Sequence, residues 1–350
     1  MARAAADHPG RRMAGEVQEQ PDVWRRILAE PAAIVEVAGQ LVARRPRFVL
    51  LVARGTSDHA ALYAKYLIEI TQQLPAGLVS PSTMTAYGAR PRLEDVLLIA
   101  VSQSGGSPDL VRTVEIGREQ GAATLAVTNN ARSPLAQTAE LHLDIRGGTE
   151  RAVAATKSYT AQLLTLYLLF DRMRGGDGQA AARLPEWGQA LLAQDGRMAE
   201  IAQRYRFAQR LVVTARGYSY ATAREAALKL METSYISAQA FSGADLLHGP
   251  LAMIDREMPV LAVVPEGIGG ALMRRVLPRL SRAGADVFCV GDRTAVPEGA
   301  SGLALPEGVP EEISPILEIL PLQMLALHLA VARGGDPDAP RGLSKVTATL

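Results

Sequence analysis

Two stretches of this chain, 162 residues apart, carry the same short residue pattern, and this repetition constrains the fold more than any other sequence feature. Residues Val52–Ser57 read VARGTS, and residues Thr214–Ser219 read TARGYS. In both, an apolar run enters a glycine turn, and a helix-like stretch with alanines at matching positions follows. The offset predicts an internal duplication of a strand–turn–helix unit, with chance agreement of small residues as the alternative.

Short apolar runs alternate with amphipathic or Ala/Leu-rich stretches through both halves of the chain. The strand-like runs are 47–53, 95–101, 122–128 and 141–145, and then 210–215, 258–264 and 285–290. The helix-like stretches are 18–42, 59–71, 108–120, 157–174, 187–205, 220–236 and 310–333. This alternation predicts an α/β fold with parallel sheets covered by helices on both faces.

Length and composition exclude several classes of protein. At 350 residues the chain is long enough for two domains, and its formal charge of +1 offers no general attraction for nucleic acid or an anionic membrane. A single cysteine, Cys289, excludes an internal disulfide framework and a multi-cysteine metal site. The apolar stretch 313–332 is interrupted by polar residues, so it indicates a buried helix and not a membrane span. We therefore expect a cytoplasmic protein.

A loop rich in serine and glycine follows the strand-like run 95–101. It reads SQSGGSPD over residues Ser102–Asp109, with Ser107 as a plausible helix N-cap and Pro108 in the first helical turn. Hydroxyls and backbone N–H groups at a helix start can bind an anion such as phosphate. A polar turn whose serines only cap the helix is the alternative. Asp109 counts against anion binding because a carboxylate in the first turn competes for the same helix terminus.

Three charged residues in the helix after the repeated turn share one face. Glu225, Lys229 and Glu232 are spaced by four and three residues among alanines and leucines. A solvated, salt-bridged face is one interpretation, and a carboxylate on a mostly buried helix that acts as a base is the other. His248 follows in a turn-rich segment. With no His pair, acidic cluster or cysteine set, we expect no metal ion and no cofactor.

The C-terminal segment from Asp336 to Thr347 is by default a disordered tail. Two prolines and a glycine in it could instead stiffen the chain and place Arg341 and Lys345 in a site. A desolvated lysine amine reacts with carbonyl groups.

At these residues the chain resembles the SIS (sugar isomerase) family of phosphosugar-binding proteins, in particular the isomerase part of glutamine–fructose-6-phosphate aminotransferase and the related glucosamine-6-phosphate deaminases. The motifs that carry the resemblance span residues 15 to 350: EVQEQP at 16–21, GTS at 55–57, SQSG at 102–105, GTE at 148–150 with ATK at 155–157, ALKL at 227–230, HGP at 248–250, and the ending with Pro340, Arg341 and Lys345. The resemblance implies two SIS subdomains with flavodoxin-like layers, at 16–190 and 191–333. A disordered tail at 1–15 and an active-site tail at 334–350 would flank them.

The resemblance also implies roles for individual residues. The phosphate would be held by Ser102, Gln103, Ser104 and Ser107, and the sugar by Thr56, Ser57, Val153, Lys229 and Arg341. Glu232 would move a proton between carbon 2 and carbon 1, His248 would open the sugar ring, and Lys345 would form a Schiff base with a ketose phosphate. In the aminotransferase the histidine comes from the other subunit, which implies a homodimer with active sites at the subunit interface.

The chain departs from the aminotransferase pattern at several positions. Position 2 is alanine and not the glutaminase cysteine, so we expect that glutamine is not the nitrogen source. Arg54 replaces a cysteine, Met231 and Leu247 replace lysines, and Ala155 replaces a serine. Met231 and Leu247 make the site less basic. The Arg54–Gly55 and Ser107–Pro108–Asp109 forms resemble the deaminase branch, and with glutamine excluded the accessible direction releases ammonia, so we expect a deaminase that converts glucosamine-6-phosphate to fructose-6-phosphate and ammonia. The alternatives are a ketosamine-phosphate deglycase, another phosphosugar aldose–ketose isomerase, or a non-catalytic phosphosugar-binding protein.

Overall fold

The computed structural model of the protein describes residues 8–292 and 301–345. In chain order the strands are β1 (Phe48–Val52), β2 (Ala76–Leu78), β3 (Val96–Ser102), β4 (Ala123–Thr128), β5 (Leu141–Asp144), β6 (Arg210–Ala215), β7 (Ser237–Ser242), β8 (Pro259–Val264), β9 (Asp286–Gly291) and β10 (Ser301–Ala304). The helices are α1 (Arg11–Gln18), α2 (Gln20–Ala29), α3 (Ala32–Arg44), α4 (Thr56–Leu67), α5 (Pro81–Thr85), α6 (Pro108–Glu119), α7 (Pro134–Thr138), α8 (Lys157–Met173), α9 (Leu184–Leu192), α10 (Asp195–Tyr205), α11 (Tyr220–Ser234), α12 (Gly243–Leu247), α13 (Ile268–Arg274), α14 (Leu277–Arg282) and α15 (Ser314–Ala332).

The chain divides into two compact units. The first unit contains residues 22–149 and 157–185, and the second contains residues up to 21, 150–156 and 186–345. The short segment 150–156 therefore belongs to the second unit, although it lies within the first half of the sequence. The predicted division at residue 190 lies close to Glu186, where the long segment of the second unit begins.

Each unit is built on a five-stranded sheet of the described strands, and both sheets are parallel throughout. Their orders are β2-β1-β3-β4-β5 and β7-β6-β8-β9-β10. The two sheets have the same strand order when each is numbered along the chain. This agreement confirms the duplicated strand–turn–helix unit and the predicted α/β fold with two subdomains. In open sheets of this order, the connections after β1 and β3, and likewise those after β6 and β8, leave toward opposite faces of the sheet, and ligands bind in the crevice at the carboxyl ends of these strands.

The central strands form because their sequences are continuous apolar runs. In β3, residues Leu97–Val101 are almost inaccessible, and the strand is paired on both sides and covered by helices. β8 has the same character, with every residue buried. A strand buried on both faces has no polar alternation, which is why these runs could be predicted as strands.

The long helix α15 is the core helix of the second unit. It is long and apolar enough to cross a membrane by length and composition, but most of it is buried in the protein. This burial confirms the prediction of a buried helix. One polar residue in it, Glu318, is fully buried and accepts hydrogen bonds from the hydroxyls of Ser219 at 2.8 Å and Thr222 at 2.8 Å.

The strands that the sequence pattern missed are β2, β7 and β10, and all three lie at sheet edges. β2 has three residues and β10 has four. β7 reads SAQAFS and is only partly buried. An edge strand has one hydrogen-bonding neighbour and needs no long apolar run, so its sequence carries a weak signal.

The prediction of a disordered tail over residues 1–15 is wrong for residues 11–15, which begin helix α1; residues 1–7 lie outside the described part of the chain. Met13 in this helix is completely buried. Two aspartates of the C-terminal segment hold the helix start: Asp336 accepts from the backbone N–H of Gly10 at 2.9 Å. Asp338 accepts from the N–H groups of Arg12 at 2.7 Å and Met13 at 2.8 Å. Carboxylates satisfy the unpaired N–H groups of a first helical turn, so this segment is ordered by residues far away in sequence.

Candidate active site

The serine-rich loop after β3 is held in a tight turn in the first unit. The Ser102 hydroxyl accepts from the backbone N–H of Gly105 at 3.1 Å, and the carbonyl of Gln103 accepts from the N–H of Asn129 at 3.1 Å. Gly105 has a φ of +65°, and a Cβ at this position would lie 2.2 Å from the Ser133 hydroxyl oxygen. Glycine is therefore required for the turn to pack against its neighbour.

The loop ends where helix α6 begins. Ser107 is the N-cap residue, as predicted, but its hydroxyl does not cap the helix in the described structure. Ser104 and Ser107 are half-buried, and Gly106 between them is exposed. Hydroxyls at the positive end of a 12-residue helix are suitable donors to an anion. We call residues 102–107 the cradle loop.

An ion pair connects the turn after β1 to the start of helix α6, where the cradle loop ends. The guanidinium of Arg54 donates from Nε to the Asp109 carboxylate at 2.8 Å, and its second nitrogen lies 2.7 Å from the same oxygen. Asp109 also accepts from the N–H of Leu110 at 2.9 Å and is almost completely buried. The carboxylate that counted against anion binding is therefore neutralised by Arg54, which removes the objection to a phosphate at this helix start.

A second group of polar side chains in the first unit contains Ser57, which lies in the first turn of helix α4, and Gln162. The Ser57 hydroxyl accepts from the side-chain amide of Gln162 at 2.9 Å, which leaves the hydroxyl proton to be donated elsewhere. Ser57 is buried, and Thr56 before it is half-buried. An open cavity of about 400 Å³ at the carboxyl ends of β1 and β2 is lined by Arg54, Gly55, Asp58, Ser80 and Ser82, among others.

Helix α11 of the second unit carries the predicted group of three charged residues. The Lys229 ammonium lies 3.4 Å from a Glu225 oxygen and 2.5 Å from a Glu232 oxygen. Glu225 and Lys229 are fully buried, whereas the Glu232 side chain is 23% exposed. Burial by itself lowers the pKa of Lys229, but the two carboxylates outweigh it and raise that pKa above its ordinary value. The solvated-face interpretation is therefore wrong: this is a buried cluster with one carboxylate at the surface.

The described part of the C-terminal segment, residues 334–345, folds back within the second unit. The Lys345 amine donates to the Glu150 carboxylate at 2.8 Å. The backbone N–H of Arg341 donates to the Tyr235 hydroxyl at 2.9 Å, and its guanidinium lies 4.1 Å from the centre of that ring. The alternative of a disordered tail therefore does not hold for residues 334–345.

The structure groups the predicted site residues by unit. The first unit holds Thr56, Ser57, Ser102, Gln103, Ser104 and Ser107, and the second unit holds Val153, Lys229, Glu232, His248, Arg341 and Lys345. His248 follows helix α12 and is exposed, and Val153 is half-buried in the segment 150–156. Among the residues that the structure describes, no three His, Cys, Asp or Glu side chains are grouped to bind a metal ion.

In the corresponding turn of the second unit, the carboxylate of Glu311 already binds the backbone N–H groups. After β8, the Glu311 carboxylate accepts from the N–H groups of Ile268 at 2.8 Å and Gly269 at 2.6 Å. With the offset of 162 residues, Ile268 and Gly269 correspond to Gly106 and Ser107 of the first unit. Their N–H groups are occupied, so the duplication does not repeat the cradle loop.

A scan against protein-family models matches the SIS domain twice, at residues 44–172 and 205–333. The two matches cover both sheets and most of the chain. The chain belongs to the SIS domain family. The double match also confirms the internal duplication, because both halves fit the same family model independently.

Among curated proteins, the glutamine–fructose-6-phosphate aminotransferase of Thermococcus kodakarensis is 34% identical over 346 residues, which is 95% of this chain and 57% of that protein. The chain therefore spans little more than half the length of this relative. Among solved structures, the C-terminal domain of glucosamine-fructose-6-phosphate aminotransferase from Francisella tularensis superposes with a TM-score of 0.85 at 27% identity, covering 96% of this chain and all of that one. The glucosamine-6-phosphate deaminase of Thermotoga maritima shares the fold, with a TM-score of 0.74 at 22% identity, covering 97% of this chain and all of that one.

Sequence reasoning missed the partners of two residues in this SIS protein. Glu150 was visible only as the end of a short motif, and its contact with Lys345 joins residues 195 positions apart. Glu16, in the motif EVQEQP, accepts from the backbone N–H groups of Arg151 and Ala152 and so holds the segment 150–156. The signal in the sequence that could have pointed to these contacts was a glutamate in each of two motifs of the family resemblance, EVQEQP and GTE.

Proposed function

We propose that this SIS protein is a phosphosugar isomerase that deaminates glucosamine-6-phosphate, producing fructose-6-phosphate and ammonia. The observation that carries the proposal is the cluster on α11, in which buried Lys229 and Glu225 leave the Glu232 carboxylate at the surface. A carboxylate that is oriented by a lysine and reached from solvent is suited to move a proton between neighbouring carbons. This transfer is the step that aldose–ketose isomerases share.

The reaction divides into three stages. His248 would transfer the proton of the carbon-1 hydroxyl to the ring oxygen and so open the sugar to its aldehyde form. Glu232 would remove the proton on carbon 2 while oxygen 1 takes up a proton, and would then return its proton to carbon 1 while the nitrogen gives one up, so that the aldehyde becomes an alcohol and the amine on carbon 2 becomes an imine. Water would then add to the imine, and ammonia would leave with formation of the ketone. The exposed position of His248 supports its role as a general acid or base in reach of a substrate.

Phosphate binding is assigned to the cradle loop of the first unit. Ser104 and Ser107 stand at the start of α6, and the Arg54–Asp109 ion pair leaves this helix terminus without an uncompensated carboxylate. Several hydroxyl and N–H donors can hold a phosphate dianion without a lysine or arginine in contact.

A second candidate is a deglycase that acts on a ketosamine phosphate, in which the nitrogen carries an organic group. Two apolar side chains next to the proposed catalytic residues favour it: Met231, beside Glu232, is 43% exposed, and Leu247, beside His248, is 37% exposed. Exposed apolar surface at these positions would suit a substrate with a bulkier amine than ammonia. The proton transfer by Glu232 would be the same.

The location and assembly of the protein are part of this proposal. We expect a cytoplasmic homodimer, in which the exposed His248 of one subunit contributes to the site of the other. We expect no nucleic-acid or membrane partner. The proposed substrate is a free metabolite, and the formal charge of the chain, +1, is close to neutral.

The deciding experiment incubates the protein with glucosamine-6-phosphate, other amino-sugar phosphates and ketosamine phosphates, and measures ammonia or free amine together with the ketose phosphate. In deuterated water, the proton on Glu232 can exchange with solvent before it is returned, so product molecules should carry deuterium on carbon 1. Glucosamine without phosphate is the matched control and should react poorly. Release of an amino acid but no ammonia would select the deglycase, and no turnover of any phosphorylated sugar would contradict both enzymatic functions.

A further inference from the structure

Glu150 is a fully buried carboxylate of the second unit that the steps above do not use. One of its oxygens accepts from the backbone N–H of Thr156 at 2.9 Å, and the other accepts from the Lys345 amine at 2.8 Å. The Glu150 side chain is 0% exposed, whereas that of Lys345 is 24% exposed. The carboxylate therefore holds the lysine from the protein side, while part of the lysine side chain stays open to solvent.

The Glu150 contacts also tie the lysine to the segment 150–156. At the end of this segment, the backbone N–H of Thr156 donates to Glu150. Near its start, the N–H groups of Arg151 and Ala152 donate to the Glu16 carboxylate. Val153, which the family resemblance assigns to the sugar, lies between these two anchors. The geometry thus fixes the amine of the C-terminal segment relative to a loop that is assigned to substrate binding.

We propose that Glu150 is the positioning residue of Lys345, holding its amine toward the substrate and accepting the proton that the ammonium must lose before it attacks a carbonyl. This inference rests on the proposed function, because it requires that Lys345 reacts with the ketone carbon of a ketose phosphate. Distance and burial support the assignment, since the Glu150 carboxylate lies 2.8 Å from the Lys345 amine and is itself shielded from solvent.

The step balances as follows. The Lys345 ammonium transfers one proton to Glu150, and the neutral amine forms a carbon–nitrogen bond to carbon 2 of the open ketose. The carbonyl oxygen takes up a proton from the nitrogen, and the hydroxyl so formed leaves as water with the proton that Glu150 returns. The product is a protonated Schiff base next to the Glu150 carboxylate, so the total charge is unchanged.

The test measures how fast borohydride traps fructose-6-phosphate on Lys345, with mass spectrometry to identify the labelled residue. Glu150→Gln keeps the shape and the acceptor for Thr156 but cannot take a proton, so the trapping rate at saturating sugar phosphate should fall at least about tenfold. Affinity for the sugar phosphate should stay within about twofold, since general-base loss acts on the chemical step. Glu150→Asp should restore part of the rate.

Rescue by an added base separates proton transfer from a merely structural effect. In Glu150→Gln the trapping rate should rise with the concentration of an added small base such as imidazole, because that base can take the proton that Glu150 no longer accepts. Glu140→Gln, which removes a surface carboxylate paired with Arg44, is the matched control and should trap at the wild-type rate. A wild-type rate in Glu150→Gln, or a low rate that the added base does not raise, would overturn the proposal.

A second measurement distinguishes failure of this inference from failure of the proposed function. If the wild-type protein traps no ketose phosphate, the reaction assigned to Lys345 is wrong, and hydrogen exchange of residues 339–345 then decides the positioning claim. Exchange there should be faster in both Glu150→Gln and Lys345→Met than in the wild type. Unchanged exchange in these variants would show that Glu150 does not hold the lysine.

Discussion

Arg54 and Asp109, 55 residues apart in the sequence, form an ion pair that links the turns after β1 and β3 at the carboxyl edge of the first sheet. Asp109 is buried beside the start of α6, whereas the Arg54 side chain is 46% exposed. An arginine in place of the cysteine of the aminotransferase pattern thus neutralises a charge that would otherwise repel a phosphate.

Removal of the arginine should weaken both the fold and ligand binding. Arg54→Ala leaves the Asp109 carboxylate with the N–H of Leu110, and we expect a loss of about 1 to 2 kcal/mol in the free energy of unfolding, because the arginine is half exposed. Sugar-phosphate affinity should fall as well, since a negative charge is then uncompensated. Denaturant unfolding and calorimetry measure the two effects. Asp109→Asn combined with Arg54→Ala should recover phosphate affinity, and failure to recover would contradict the electrostatic explanation.

The hydroxyls of the cradle loop should account for phosphate affinity. Ser104→Ala and Ser107→Ala should each weaken binding of fructose-6-phosphate by about 1 to 3 kcal/mol through a lost donor to a charged group. Thr83→Ala removes an exposed hydroxyl of the same unit and serves as the control. Unchanged affinity in a folded Ser104/Ser107 double variant, measured by calorimetry, would place the phosphate elsewhere.

Glu232 should be needed for turnover but not for binding. Glu232→Gln keeps an acceptor for Lys229 but removes the base, so kcat should fall by about 100-fold or more while the substrate still binds. Deuterium transfer to carbon 1 should fall in parallel. Near-normal turnover in this variant would shift the role to Glu225, the other carboxylate that contacts Lys229.

Loss of the last residues should abolish activity and leave the fold intact. A stop before Pro340 removes Arg341 and Lys345 but keeps Asp336 and Asp338, which hold helix α1. The truncated chain should therefore still fold, with a lower free energy of unfolding because buried Glu150 loses its Lys345 partner. Lys345→Arg can still pair with Glu150 but cannot attack a carbonyl, because guanidinium stays protonated. Full activity in either variant would exclude a Schiff base on this lysine.

Buried Glu318 should make the stability of the second unit depend on pH. Burial raises the pKa of this carboxyl from 4.5 to about 7, against the opposing hydrogen bonds of three hydroxyls. Its contribution to stability is therefore complete below about pH 4.5 and is lost as the pH rises through about 7, when a buried charge forms. Glu318→Gln should remove this dependence, which amounts to about 2 to 3 kcal/mol between pH 5 and 8. Parallel slopes for the two proteins in unfolding experiments would contradict the assignment.

The sequence predicted the central strands and the order of helices because buried parallel strands must be apolar throughout, as in β3 and β8. It did not predict the edge strands β2, β7 and β10. Each of these strands is hydrogen-bonded to one neighbouring strand only, so a short or mixed sequence is enough to form it. The cluster of Glu225, Lys229 and Glu232 followed from helical spacing. The contacts of Glu150 with Lys345 and of Arg54 with Asp109 did not, because no local pattern encodes which distant charge a side chain meets.

The aspartates that hold helix α1 lie 325 or 326 residues further along the chain than the groups they bind. During synthesis, the first helix must therefore wait until Asp336 and Asp338 have left the ribosome before its N-terminal amides find their acceptors. The same late segment carries Lys345. A ribosome-bound chain that ended before this segment would accordingly hold a folded first unit with a complete cradle loop, yet lack both the acceptors of helix α1 and the lysine to which we assign the Schiff base.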